Sequence, residues 1–90
     1  MSKRQQLHQN LQEKNLVISR QEINFKVGTD KFIYRSAYNG DEVFHILIDK
    51  KGAHFKMYQS INLNVETLKI ITELMELLVI EEKQNYGIGE

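Results

Sequence analysis

Two helical patterns of apolar residues flank a strand-rich centre. In residues 3–14, Leu7 and Leu11 lie one helical turn apart among Gln, Lys and Glu side chains. This spacing predicts a weak helix that needs a docking site to persist. A second and stronger helix is predicted over residues 65–82, because apolar residues recur there every three or four positions and Asn64 is a favourable N-cap.

The segment between the two helical patterns has the composition of short strands. Residues 15–59 are rich in Ile, Val, Phe and Tyr and are punctuated by Gly28, Gly40 and Gly52. Such runs, separated by turn residues, predict a meander of strands. We therefore expect an α+β fold, in which a four-stranded antiparallel β-meander packs on a C-terminal α-helix, with a short weak N-terminal helix.

The chain is expected to form one domain, since no repeat, proline or low-complexity tract divides it. Within residues 1–90, the pattern predicts an N-terminal helix or flexible arm, the β-meander, the C-terminal helix and a flexible tail. These segments cover residues 1–20, 21–60, 64–82 and 83–90, respectively.

Two turns set the expected pairing of the strands. Asn39-Gly40 is typical of a two-residue type I′ turn, which would place Arg35 opposite Phe44. Gly52 suits a turn with a bulge, which would pair Asp49 with Ala53. Since strand side chains alternate, these turns predict a core face with Phe32, Tyr34, Val43, His45, Leu47, Phe55 and Met57. They predict a mixed face with Lys31, Ile33, Arg35, Phe44, Ile46, Ile48, His54, Lys56 and Tyr58.

The apolar stripe of the C-terminal helix is wider than one sheet face requires. Its apolar residues sweep roughly 240° of the circumference, whereas covering a sheet needs little more than about 100°. Either the N-terminal helix or a second subunit must cover the remainder, and a two-fold homodimer is the commonest closed solution. The residues expected at such a dimer interface are Ile70, Leu74, Leu77 and Leu78.

Composition excludes some functions and leaves the charge distribution as a clue. The chain has no cysteine, which rules out thiolate catalysis and Cys-containing zinc sites. Its net charge is zero, yet residues 1–60 carry a net charge of +4 and residues 61–90 a net charge of −4. This asymmetry fits a polyanion meeting one side of the molecule, and equally two ordinary solvated faces. No secretory signal or membrane span is indicated, so a cytoplasmic location is expected.

Enzyme chemistry finds little support in the sequence. His8, His45 and His54 do not show the spacing of a helical zinc site, and no phosphate-binding glycine loop is present. Asp41 and Glu42 lie at a turn where both would be hydrated, which disfavours an acid/base pair. We expect a protein that is not an enzyme and that has no metal and no cofactor.

The mixed face is the better indication of function. Cationic side chains that contact phosphates and aromatic rings that stack on bases are what single-stranded nucleic-acid binders use. The alternative is a protein–protein interaction module, for instance a small inhibitor or adaptor, possibly phage-encoded, that presents Phe44, Ile46 and Ile48. The residues expected to contact nucleic acid from this face and its turns are Lys31, Arg35, Phe44, Lys50, Lys51, Lys56 and Tyr58.

Several short motifs resemble those of the positive-coactivator-four family of single-stranded DNA-binding proteins and its small bacterial relatives. The resemblance covers about residues 23–78. Its motifs are Phe25-Lys26-Val27-Gly28, Tyr38-Asn39-Gly40, Gly52 followed by Lys56, and Ile61-Asn62-Leu63-Asn64-Val65-Glu66.

The resemblance implies a curved sheet that binds single-stranded DNA and helices that pair into a homodimer. It also implies a DNA contact for Tyr38, which matches a family aromatic. The chain departs from the family at Thr29, Ser36 and Asp41, where basic residues are usual. It departs as well at His45-Ile46-Leu47 in the third strand, and it lacks the family's tryptophan.

Overall fold

Four antiparallel strands, adjacent in chain order, form one sheet that is flanked by an N-terminal and a C-terminal helix. This computed structural model describes residues 2–59 and 62–86, with side chains of the second range as far as Glu81. The α+β fold predicted from the sequence is confirmed. The elements are α1 (Lys3–Glu13), β1 (Leu16–Asn24), β2 (Thr29–Ser36), β3 (Glu42–Asp49), β4 (Gly52–Met57) and α2 (Val65–Tyr86).

Two boundaries differ from the prediction. The sheet begins at Leu16, five residues before the predicted start at residue 21, because Asn15 with φ of 65° ends the turn after α1 and Leu16 enters the core. At the other end, α2 continues through residues 83–86, which were predicted to be tail. The rest of the predicted tail, residues 87–90, lies outside the described residues.

Helix α1 is held by its N-terminal cap and by its contacts with the rest of the chain. Ser2 and Gln5 form a reciprocal capping box, which satisfies two backbone donors at the helix start. Leu7 and Leu11 are buried in the main core cluster. The docking site that this weak helix was predicted to need is therefore provided by the same chain. Among the described side chains, three ion pairs join the two helical regions: Lys3–Glu73, Arg4–Glu81 and Lys14–Glu66.

Helix α2 starts as predicted, since the Asn64 side chain accepts a hydrogen bond from the Thr67 backbone N–H at 2.8 Å. Both α1 and the sheet cover most of its wide apolar arc, because Leu7 and Leu11 belong to the same cluster as Leu74. Val65 and Leu68, at one edge of the arc, are 68% and 44% exposed. A second subunit is therefore not required for the greater part of the arc.

The residues predicted at a dimer interface lie in a different environment. Leu74 and Leu78 are fully buried in the core of their own chain. Ile70 and Leu77 are partly buried and pack against that same core. The assignment of Leu74 and Leu78 to a surface between subunits is therefore wrong, whereas that of the partly buried Ile70 and Leu77, like dimerisation itself, stays a prediction.

The loop between β2 and β3 is longer than predicted and changes which residues pair. The Gly40 N–H donates to the Ser36 carbonyl at 2.9 Å, so the chain reverses through a longer loop than a two-residue turn. Gly40 adopts a φ of 78°, which glycine tolerates. The observed register sets Tyr34 opposite Phe44, where the prediction placed Arg35. This difference of one residue moves the side chains of β3 to the other face.

The turn between β3 and β4 also differs from the prediction by one residue. Asp49 pairs with Gly52 instead of Ala53, and the Lys51 N–H donates to the Asp49 carboxylate at 2.8 Å. Because this second shift of one residue cancels the first, the side chains of β4 lie on the faces that were predicted for them. Only β3 has its faces exchanged.

Phe44, Ile46 and Ile48 consequently lie in the core, and their prediction on the mixed face is wrong. None of the three is more than 1% exposed. The physical reason is that burying three large apolar side chains is more favourable than burying the alternative set, which contains the imidazole of His45 as well as Leu47. The Phe44 ring stacks on Tyr34, with 4.7 Å between centroids.

Candidate functional site

One side of the sheet faces away from both helices, and we call it the open face. Arg4 and His8 of α1 contact Phe32 and Tyr34 on the opposite side, where the α2 residues also join the core. The strand register aligns the side chains of the open face in rows. One row is Glu22, Lys31, Leu47 and His54; the next is Arg20, Ile33, His45 and Lys56; the third includes Arg35 and Glu42, with Tyr58 just beyond β4.

The centre of the open face is apolar and well packed. Ile33 is only 1% exposed. It does not belong to the core cluster, which lies between the helices and the sheet. Its neighbours in the register are Arg20 and His45, whose long or planar side chains can cover it. The open face is therefore a layer of charged and aromatic groups around a buried aliphatic centre.

Ion pairs join the first two strands of the open face. Arg20 contacts the carboxylates of Glu22 at 3.0 Å and Glu42 at 2.5 Å, and Lys31 lies 3.8 Å from Glu22. The hydrogen bond from Arg20 lowers the pKa of Glu22. These side chains are partly exposed, so each pair contributes little to stability and can exchange for another anion at small cost.

Two cationic side chains of the open face, Arg35 and Lys56, differ from Arg20 and Lys31 in their contacts. Among the residues that the structure describes, Arg35 and Lys56 form no ion pair. Lys56 is exposed and Arg35 is half-buried. They are the cationic groups that a phosphate can approach without displacing a carboxylate.

An aromatic pair lies beside Lys56. The Tyr58 hydroxyl is 2.5 Å from Nδ1 of His45, and the two rings meet edge to face with 5.3 Å between centroids. Partial burial lowers the pKa of His45, and the positive charges of Lys31 and Lys56 lower it further, while Glu22 partly opposes them. The imidazole is therefore protonated less readily than that of an ordinary histidine.

The predicted nucleic-acid-binding residues divide into three groups. Lys50 and Lys51 are exposed in the β3–β4 turn, and Tyr38 is 83% exposed in the β2–β3 loop, where its hydroxyl accepts from Asn15 Nδ2 at 2.8 Å. Phe44 lies on the opposite side of the sheet, in the core. The four that share the open face are Lys31, Arg35, Lys56 and Tyr58.

Arg20, His45 and Leu47 belong to the open face but were absent from the predicted site. His45 and Leu47 were assigned to the core because the register of β3 was predicted one residue away from the observed one. A signal for the correct register was present, since Phe44, Ile46 and Ile48 form an uninterrupted apolar set whereas the alternate set contains a histidine.

The β1–β2 hairpin carries large apolar side chains that are accessible to solvent. Ile23, Phe25 and Val27 are 45%, 76% and 58% exposed, respectively. Lys26 lies between two of them at the turn, where its backbone N–H donates to the Asn24 side chain at 3.1 Å. An apolar cluster of this kind, bordered by charge, is typical of a contact surface.

The described residues form neither a metal site nor a membrane-spanning helix. Within residues 2–59 and 62–86, no group of three or more His, Asp or Glu side chains is arranged to hold a metal ion. Over the same part of the chain, neither helix combines the length and the apolar character needed to cross a bilayer.

Comparison with known proteins gives no family assignment: no family model, no curated protein and no solved structure matches this chain.

Proposed function

We propose that this protein binds single-stranded nucleic acid through the open face and catalyses no reaction. The observation that supports the proposal is a whole sheet surface, uncovered by either helix among the described residues, on which cations lie beside an exposed aromatic ring. Tyr58 would provide a stacking surface for a base, while Lys56 and Arg35 would contact phosphates.

The ion pairs of the open face are compatible with this function. Arg20 and Lys31 hold Glu22 and Glu42 in partly exposed contacts, which are weak enough to rearrange when a phosphate approaches. The motifs that resemble those of the positive-coactivator-four family imply the same class of ligand. Lys50 and Lys51 would extend the cationic surface at the adjoining turn.

The alternative function, a protein–protein interaction module, loses the contact surface on which it was based. Phe44, Ile46 and Ile48 are buried in the core and are not accessible to a partner. A protein partner would need another surface, and an apolar contact would respond little to salt.

The proposal is tested by the fluorescence anisotropy of a labelled oligo(dT) at two salt concentrations. If Lys31, Arg35 and Lys56 each neutralise one phosphate, affinity should fall roughly 20-fold between about 50 mM and about 200 mM salt. An absence of binding at low salt with micromolar protein would refute the proposal.

Variants of the open face sharpen this experiment. The double substitution Lys56→Ala and Tyr58→Ala should weaken oligo(dT) binding more than about tenfold, because it removes a phosphate contact and a stacking surface. A matched control is Lys69→Ala with Ile80→Ala, which removes one lysine and one large exposed side chain from α2. Equal losses in the two variants would place binding elsewhere.

Dimerisation is tested separately by sedimentation. We propose a homodimer because Val65 and Leu68 of the apolar arc remain 68% and 44% exposed, and a two-fold dimer is the commonest closed way to cover such side chains. A mass of 10.6 kDa, independent of concentration, would contradict it.

A further inference from the structure

A groove of about 580 Å³ lies where the open face meets the tip of the β1–β2 hairpin. Its apolar lining comes from Ile23, Phe25 and Leu47, and its cations are Lys26 and Lys31. A groove of this size falls within the range of small-molecule sites in proteins.

The charge in the groove favours an anion. Its acidic side chain, Glu22, accepts a hydrogen bond from Arg20 and also lies 3.8 Å from Lys31. Lys26 and Lys31 against Glu22 still leave an excess of positive charge in the groove, beside the exposed Phe25 ring. An aromatic plane next to cations matches a ligand with a flat ring and a phosphate.

The groove is continuous with the surface proposed to bind nucleic acid. Lys31 and Leu47 line the groove and also belong to a row of the open face. Along β2, the distance from Arg35 to Thr29 is about 20 Å, given the rise per residue of a strand. A bound strand could thus contact Tyr58 at one end and the groove at the other.

We infer that the groove holds one nucleotide of the bound strand, with its base stacked on Phe25 and its phosphate near Lys26 and Lys31. This inference rests on the proposed function and specifies a second base-stacking position on the same path. It assigns a role to the exposed apolar side chains of the hairpin, which the open face alone does not explain.

An introduced tryptophan tests the inference. No other tryptophan contributes to its fluorescence, because the natural chain contains none. Tryptophan fluorescence of a Phe25→Trp variant should be quenched by oligo(dT) of about 12 nucleotides, a length within the known range of such sites. The matched control is Ile80→Trp on α2, whose emission should not change. Equal quenching of both reporters would overturn the inference.

The affinity of a second variant separates failure of this inference from failure of the proposed function. Phe25→Ala should bind the labelled oligonucleotide at least about fivefold more weakly than the natural chain. If the natural chain does not bind, the proposed function fails. If it binds but Phe25→Ala is unaffected and Phe25→Trp is not quenched, only the groove assignment fails.

Free thymidine monophosphate distinguishes a groove that binds one nucleotide of a longer nucleic-acid strand from a groove that binds a free nucleotide. It should quench the Phe25→Trp variant only at concentrations far above those of the oligonucleotide, because it lacks the contacts along the open face. Quenching at equal concentrations would contradict the assignment to a strand.

Discussion

The two faces of the sheet are built from alternate residues of the same strands and serve different ends. On the helix side, β3 contributes Phe44, Ile46 and Ile48 to the buried core. On the open face, it contributes His45 and Leu47 to a surface of charged and aromatic groups. The register of one strand therefore decides which residues stabilise the fold and which are accessible to a ligand.

The largest expected difference between the two faces is in the unfolding free energy that is lost when an aromatic side chain of each face is replaced by alanine. Phe44→Ala removes a fully buried ring that contacts both Tyr34 and Phe55, and it should cost about 3 to 5 kcal/mol of unfolding free energy. Tyr58→Ala, on the open face, should cost under about 1 kcal/mol. Urea denaturation followed by circular dichroism measures both, and similar losses would contradict the assignment of faces.

A smaller loss of unfolding free energy is expected when a core side chain of α1 is shortened. Leu11→Ala should reduce the unfolding free energy by about 2 to 5 kcal/mol, because Leu11 is fully buried in the core that includes α2. Leu68→Ala is the matched control, since Leu68 is 44% exposed on α2 and should lose under about 1 kcal/mol. If Leu11→Ala unfolds at the same urea concentration as the natural chain, α1 is not docked in solution.

The smallest expected effect concerns His8, which lies on the helix side beside Tyr34. Burial, together with the charge of Arg4, lowers the pKa of His8, and Glu81 only partly opposes this. Below the ordinary histidine pKa of 6.5, the unfolded chain therefore binds a proton more readily than the folded protein. Stability from this group is complete above pH 6.5 and is lost as the pH falls through the lowered pKa.

The measurement is the thermal midpoint of the natural chain and of His8→Gln between about pH 7.5 and about pH 5. The natural chain should lose more stability over this range than His8→Gln does. Identical pH profiles would show that His8 is not buried in solution.

The sequence predicted the helices and the order of strands because their signals are local. Leu7 and Leu11 mark one helix, Asn64 caps the other, and glycines mark the reversals between strands. The faces of β3 depend on the number of residues in each loop. The turn motif at Asn39-Gly40 did not determine that number.

The candidate site was predicted in part for the same reason. Lys31, Arg35 and Lys56 lie on strands whose faces were predicted correctly. The groove at Phe25 could not be predicted from spacing, because it requires the hairpin of β1 and β2 to adjoin Leu47 of β3. It also requires Leu47 on the open face, which the predicted register of β3 excluded.

Methyl NMR spectra recorded during titration with oligo(dT) show directly which face binds, since isoleucine and leucine methyl groups lie on both faces. We expect the signals of Ile33 and Leu47, on the open face, to shift as the oligonucleotide is added. Signals of Ile46 and Ile48, in the core, should stay in place. Shifts confined to exposed methyl groups of α2, such as those of Leu68 and Ile80, would contradict binding through the open face.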